Sequence, residues 1–297
     1  MTKIKSIKKE QFKGIVHNVE VNKNNNYFAN NILVHNCYTS STINGKHGDI
    51  NYVLNLLPVL KSAGVMEIVL GGGEPTVHPE FLTILKALKD LNFKIGFTTK
   101  NYNLHKHPDI EAILDNTNSI AFSINSLQDV EDLKPFMNEI TVAKGRVTRQ
   151  NPQFYAQIIL GLEPWENTFT IVKAAIKKTD NKTLFYNITF LGLKKFGFGQ
   201  DFENQITDDN WIFDIKKLSN KENISIGIDS ILANKYRDIL INEHSISYNR
   251  LTGAEGQQTC YIDAVDKKIS ASSFTNKNVR DFEDVNLPNF LNHYLTF

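Results

Sequence analysis

Cysteine is the scarcest informative residue in this chain, with two among 297 residues, Cys37 and Cys260. Two cysteines exclude a disulfide framework and cannot by themselves complete a cysteine-based metal cluster. No apolar run of about 18 residues is present, so no membrane-spanning helix is expected. The start, MTKIKSIKKEQFKG, lacks the apolar stretch of a signal peptide. Charge of one sign is missing as well. There are 33 Lys and Arg against 32 Asp and Glu, a formal net charge of +1. That balance excludes a strongly basic nucleic-acid glove or an acidic tail as the main theme. What remains is ordinary globular composition, 41% hydrophobic and 22% charged. The expectation is a cytoplasmic protein with no membrane partner.

The texture of the chain changes near residue 37. Before it, Ile15-Val16-His17-Asn18-Val19-Glu20-Val21 alternates like a half-buried strand. Asn22-Lys23-Asn24-Asn25-Asn26 reads as a turn, and Tyr27 to Val34 as a second strand interrupted at Asn30-Asn31. Two strands alone cannot hold a core, so this segment must dock elsewhere. After residue 37, helical and strand patterns alternate. Asp49 is placed to cap a helix running to about Ala63, with Pro58 inside it. A short apolar strand, Met66 to Leu70, ends in Gly71-Gly72-Gly73-Glu74-Pro75. Pro79 is expected at the first position of the next helix. Strands at 94–99, 119–124, 154–161 and 184–191 follow, separated by helices at 110–114, 130–140 and 169–178. Repeated βα units predict a parallel sheet or barrel, whose sites lie at the carboxyl ends of the strands.

The first chemical constellation is His35-Asn36-Cys37. An Asn side-chain amide can attack its own carbonyl and cut the chain after itself. A neighbouring His can protonate the scissile amide, and a following Cys offers a thiol nucleophile. Taken alone, the triplet also fits an ordinary turn in an Asn-rich chain. The whole string GIVHNVEVNKNNNYFANNILVHNC, however, resembles the C-terminal end of an intein. The resemblance implies a split intein whose N-terminal half lies on a complementary chain. Cys37 then attacks the partner's thioester, Asn36 cyclises with help from His35, and an S-to-N shift leaves a peptide bond. Two positions depart from the pattern: Asn18 stands where Asp is usual, and Asn25 where His is frequent. Neither carboxamide can do acid–base work.

The second constellation starts at the glycine run. Three glycines after a strand let a ligand approach the backbone, and Glu74 adds a carboxylate at the strand's carboxyl end. Gly72-Gly73-Glu74-Pro75, followed by Thr76, His78-Pro79 and a helix, is similar to the radical SAM enzymes. Cys37-Tyr38 sits where the last cysteine of that family's CxxxCxxC motif falls. Ser123-Ile124-Asn125 sits where a ribose-binding pair falls, and Gly161 to Glu163 near the adenine site. The resemblance covers roughly 37–195. It implies a 4Fe–4S cluster and S-adenosylmethionine, cleaved to methionine and a 5′-deoxyadenosyl radical. The implied site residues are Gly72, Gly73, Glu74, Ser123, Asn125 and Gly161 for the cofactor and Cys37 for the metal. The first two cysteines of the motif are missing, so the chain alone is expected to be inactive in radical chemistry.

The two resemblances explain each other if an intein interrupts CxxxCxxC. A partner chain would carry the first barrel strand, the first two cluster cysteines and the N-terminal intein half. The expected fold is α/β: a partial radical SAM (βα)6-type barrel lacking its first strand, preceded by a short β-hairpin intein fragment. The expected domains are 1–36, a C-terminal split-intein fragment; 37–195, an incomplete radical SAM core; and 196–297, a SPASM-like tail without its cysteines. Cys260 reads as a small buried residue. The competing functional reading is a catalytically inactive radical-SAM-like barrel that binds a nucleotide-like ligand or a partner. A third is a fragment of a longer chain with a contiguous intein.

Overall fold

The computed structural model describes residues 27–29, 32–34, 45–143, 152–179, 182–183, 185–195, 202–206, 208–244, 256, 259–273 and 278–297. At the amino end, β1 (Tyr27–Ala29) and β2 (Ile32–Val34) pair antiparallel, with Tyr27 opposite Val34. The stretch expected to be one interrupted strand is therefore itself a small hairpin. In sequence, only Asn30-Asn31 separates the two strands. The expected partner strand at 15–21, together with Asn18, Asn25 and the triplet His35-Asn36-Cys37, lies outside the described residues.

The body of the protein opens with α1 (Ile50–Ser62). Asp49 caps it as expected, its carboxylate accepting from the backbone N–H of Asn51 at 2.8 Å and Tyr52 at 3.3 Å. Then come β3 (Glu67–Leu70), α2 (Phe81–Asp90), β4 (Lys94–Thr99), α3 (Ile110–Asp115), β5 (Ser119–Ser123), α4 (Leu127–Met137), β6 (Gln153–Leu160) and α5 (Trp165–Ala175). A minor antiparallel pair, β7 (Lys178–Thr179) and β8 (Lys182–Thr183), precedes β9 (Asn187–Gly192). After it lie α6 (Asn210–Glu222), β10 (Ser225–Ile228), α7 (Ser230–Lys235) and α8 (Arg237–Asn242).

Six strands form one parallel sheet in the order β10-β9-β6-β5-β4-β3. Among the described residues the sheet is open, with β3 and β10 as its two edges. The parallel α/β character was legible in the pattern; closure of the described strands is not observed. The sheet continues past residue 195, because β10 pairs with β9 from Ser225↔Asn187 to Ile228↔Phe190.

Strand alternation gives the sheet two unlike faces. One face, under the helices, holds Ile95, Phe97, Ile120, Phe122, Phe154, Ile158, Ile188 and Phe190, all buried. Phe136 of α4 wedges into it, with T-shaped contacts to Phe122 at 4.9 Å and Phe154 at 5.7 Å. The other face carries half-exposed Thr98, Ser123, Gln153, Gln157, Asn187 and Thr189. On β3, Val69 is 61% exposed, as is nearby Met66 at 77%.

Three sequence expectations shift. The second helix begins at Phe81, not Pro79, because the His78 ring accepts the Glu80 N–H at 3.0 Å and holds Pro79 in the preceding turn. The strand expected from residue 184 begins at Asn187. Fully buried Phe185 instead donates its N–H to the Ala175 carbonyl at the end of α5. The helix expected over 130–140 spans 127–137 and passes into a π-helical stretch, Asn138–Ala143.

The tail forms an antiparallel three-stranded sheet, β11 (Tyr261–Asp263), β12 (Lys268–Ser270) and β13 (Arg280–Asp281), followed by α9 (Leu287–Tyr294). It docks on α1, where the Tyr52 hydroxyl donates to the Phe282 carbonyl at 2.9 Å. Burial, reinforced by the charges of Asp263 and Glu283, pushes the Tyr52 phenol up to about 12.

Candidate active site at the carboxyl ends of the strands

The glycine run leaves β3 and enters a 3-10 turn, Pro75–Val77. Glu74 caps that turn and does much more. Its Oε1 accepts from Thr76 N–H at 3.1 Å and from the Thr76 hydroxyl at 2.6 Å. The Thr99 hydroxyl donates across both carboxylate oxygens at 2.8 and 2.9 Å, and the Lys100 N–H donates to Oε2 at 2.8 Å. Thr76 and Thr99 are buried. Asn101 completes the cluster, its amide reaching the Thr76 hydroxyl at 3.3 Å and its N–H the Thr99 hydroxyl at 2.9 Å. A carboxylate with this many donors is a strut, not a free ligand group. It clamps the loop after β3 to the end of β4. The glycine backbone is what the strut presents: Gly71, Gly72 and Gly73 are exposed. A Cβ built on Gly71 or Gly72 would meet nothing within 4 Å, and Gly72 has φ +119°, a conformation that favours glycine.

The next strand end is held in a similar way. Ser126 caps α4 by accepting the Asp129 N–H at 3.1 Å, and buried Asp129 reaches back to accept the Asn125 N–H at 2.8 Å. The Asn125 side-chain oxygen accepts from Ile159 N–H on β6 at 3.1 Å, tying β5 to its neighbour. The Ser123 carbonyl accepts the Tyr102 hydroxyl at 2.6 Å. Burial, then the Asp129 charge beside it, raises the Tyr102 phenol well above the ordinary range. Lys100 joins the two halves: its backbone is bound to Glu74, and its ammonium lies 3.9 Å from Asp129 Oδ1.

The structure thus brings Gly72, Gly73, Glu74, Ser123 and Asn125 into one connected network along the ends of β3, β4, β5 and β6. Gly161 stands apart from this open edge. It has φ +97°, and a Cβ there would lie 2.3 Å from the Asn204 side-chain oxygen. Its carbonyl accepts the Gln205 N–H at 2.9 Å, so the segment 202–206 covers it. Reading the sequence named Thr76 without giving it a role, and missed Thr99, Lys100, Tyr102, Asp129 and Asn204. The Ser126-x-x-Asp129 spacing was a usable signal for Asp129; nothing local marks Asn204.

Residues 35–189 match the family model described as the radical SAM superfamily. The chain belongs to the radical SAM superfamily. The fold agrees. A crystal structure of Streptococcus suis SuiB bound to precursor peptide SuiA aligns with TM-score 0.60 and 16% identity, over 85% of this chain and 60% of that one. SuiB bound to S-adenosylmethionine aligns with TM-score 0.54 and 13% identity, over 83% and 62%. The chain therefore spans about three fifths of the length of these solved proteins. A comparison with curated proteins finds no match. None of these likenesses supports an intein. Among the described residues, no helix is long and apolar enough to cross a membrane.

Radical SAM membership carries S-adenosylmethionine and a 4Fe–4S cluster in general, and the two fit this chain differently. The open glycine cradle beside the polar ends of β4 and β5 suits the first. For the second the donor set is too small. Among the described residues no group of three His, Cys, Asp or Glu could hold a metal ion. Cys260 is in the tail, where burial pushes its thiol up to about 11, away from the thiolate a metal needs.

Proposed function

We propose that this chain is the larger part of a radical SAM enzyme and binds S-adenosylmethionine along the carboxyl ends of β3 to β6. The observation that carries the reading is the Glu74 strut, which holds an exposed glycine backbone beside Ser123 and Asn125. Gly72 and Gly73 would meet the amino end of the cofactor and Ser123 and Asn125 its ribose, whereas Gly161, filled by Asn204, lies outside the open part of this edge. When bound and reductively cleaved, the cofactor supplies a 5′-deoxyadenosyl radical. The chain's own residues bind and orient it and fix the strand ends around it. SuiB is described with a bound precursor peptide, and a peptide is the first substrate class to test.

We infer further that trans-splicing completes the cluster motif. Three things support this: the triplet His35-Asn36-Cys37, a family match that starts at residue 35, and a chain with one cysteine where the motif needs three. A fourth is that, among the described residues, no strand pairs with the outer edge of β3, where a strand leading into α1 by a right-handed crossover would pair. The Cys37 thiolate attacks the thioester at the partner's junction; the acyl group moves to its sulfur as the original carbon–sulfur bond breaks and the partner's thiolate leaves. Asn36 then closes to a succinimide, which breaks the Asn36–Cys37 bond. The freed Cys37 amine takes the acyl group from sulfur as an amide. Residues 1–36 leave with the intein, and Cys37 becomes this chain's single contribution to the cluster.

Mixing the chain with a complementary chain bearing the N-terminal intein half should release residues 1–36 and create a new peptide bond at Cys37, read by mass spectrometry. Radical cleavage should appear only in the joined product. If the chain alone, reconstituted with iron and sulfide, binds a stable 4Fe–4S cluster and cleaves S-adenosylmethionine, splicing does not gate the enzyme. The competing reading, an inactive barrel, requires a joined product that still binds no cluster.

A further inference from the structure

Where the tail meets α1 the surface opens into a cavity of about 490 Å³, lined by Asp49, Tyr52, Asn55, Lys267, Glu283 and Val285. Its frame is fixed. The Tyr52 hydroxyl is spent on the Phe282 carbonyl, and the Phe282 N–H on the Lys267 carbonyl at 2.7 Å. The other polar side chains are not spent. Asp49 caps α1 through Oδ1 alone. Among the described residues, Glu283 and Asn55 have no hydrogen-bond or ion-pair partner for their side chains. The Lys267 ammonium has only the Tyr52 ring, 5.8 Å from its centroid. The cavity also lies on the rim of the candidate active site. The His78 ring accepts the Glu80 N–H through Nδ1, so its Nε2 carries the hydrogen and donates to the Gly48 carbonyl at 3.1 Å. His78 belongs to the loop that follows the glycine run, and Gly48 directly precedes the Asp49 cap. The start of α1 therefore stands beside that loop, at the carboxyl end of the sheet. The tail packs onto the same spot: a Cβ on Gly48 would lie 2.9 Å from the Ala264 Cβ.

The unspent groups describe a ligand. Glu283 and Asp49 call for a cation rich in N–H donors. The Lys267 ammonium and the Asn55 amide call for acceptors, and Val285 adds an apolar contact. Two negative charges against one positive favour a ligand of net positive charge and disfavour a phosphate or carboxylate. An arginine within a peptide answers all of these at once. Its guanidinium offers five N–H donors in a fixed plane, and main-chain carbonyls stand on either side of it. We propose that this cavity anchors an arginine side chain of the peptide substrate: Glu283 and Asp49 take the guanidinium, and Lys267 and Asn55 take the flanking carbonyls. Residues beyond the anchor then have a path over the His78 loop to the strand ends. The anchor rests on the reading of a peptide as the substrate class.

Two blocked tripeptides that differ in one charge test it: acetyl-Gly-Arg-Gly-amide, and the same peptide with citrulline, which keeps the shape and loses the charge. Each is titrated into the isotope-labelled full-length chain. Affinity and location are read together by NMR, with the Asn55 side-chain amide as the local reporter. The arginine peptide is expected to shift that signal and to bind about 5-fold or more tightly than the citrulline peptide. Asp49→Asn, which keeps a competent cap, and Glu283→Gln should each weaken it about 3- to 5-fold, and together about 10- to 25-fold, as partly exposed charge contacts do. Equal affinity for the two peptides overturns the anchor. So do an unchanged affinity in the double variant and shifts confined to residues outside the cavity. S-adenosylmethionine is titrated into the wild-type chain alongside. If it binds and the arginine peptide does not, the anchor falls and the cofactor reading stands. If only the peptide binds, at Asn55, the anchor stands and the cofactor reading falls; if neither binds, both fall. Thermal melts of the variants, expected to match wild type because Asp49 and Glu283 are exposed, show that folding is not what changed.

Discussion

Gly72 and Gly161 have the same backbone problem and opposite surroundings. Both sit at the carboxyl end of a parallel strand with positive φ, +119° and +97°. Around Gly72 a side chain would find open space; at Gly161 it would collide with Asn204. One glycine keeps a surface bare, and the other admits a side chain from its own protein. Both positions fit the spacing of a cofactor-binding motif, so spacing alone does not tell these uses apart.

The comparison can be broken most sharply at Gly161. Gly161→Ala should destabilise the fold by about 2–5 kcal/mol, combining left-handed strain of about 1–2 with overpacking of about 1–3. The double variant with Asn204→Gly should recover the overpacking part, read in denaturant melts. No recovery would show that Asn204 is not what excludes a side chain there. Next comes Glu74→Gln. An amide NH2 would face the donors from Thr76, Thr99 and Lys100, costing about 1.5–3 kcal/mol and loosening the glycine loop. Its expected mark is lost stability together with weakened S-adenosylmethionine binding. The smallest effect on stability should be Gly72→Ala, about 1–2 kcal/mol from backbone strain alone. Its binding loss should exceed its stability loss, the reverse of Gly161→Ala. If the two variants rank the same way in both assays, the contrast between open and covered glycines has no functional meaning.

Much of the fold was legible because it is written in local chemistry. Asp49 announced the start of α1, and the apolar runs read at 94–99, 119–124 and 154–161 announced central strands to within a residue. Strand β10 escaped attention although Ile224-Ser225-Ile226-Gly227-Ile228 alternates; it follows a polar helix in a stretch read as tail. The site divided along the same line. Gly72-Gly73-Glu74 is a contiguous motif and was visible. The partners that make Glu74 a strut come from the next strand, 25 and 26 residues away. Lys100 and Asp129 meet only because the ends of two strands lie side by side. Asn204 reaches Gly161 from a loop with no pattern of its own, and no local rule could have placed it.

Among the described residues no strand pairs with the outer edge of β3, and this has one more consequence. With Met66 and Val69 exposed beside it, that edge offers main-chain groups to an extended segment. Copies of the chain are therefore expected to associate through it. That association should rise with concentration, read by light scattering.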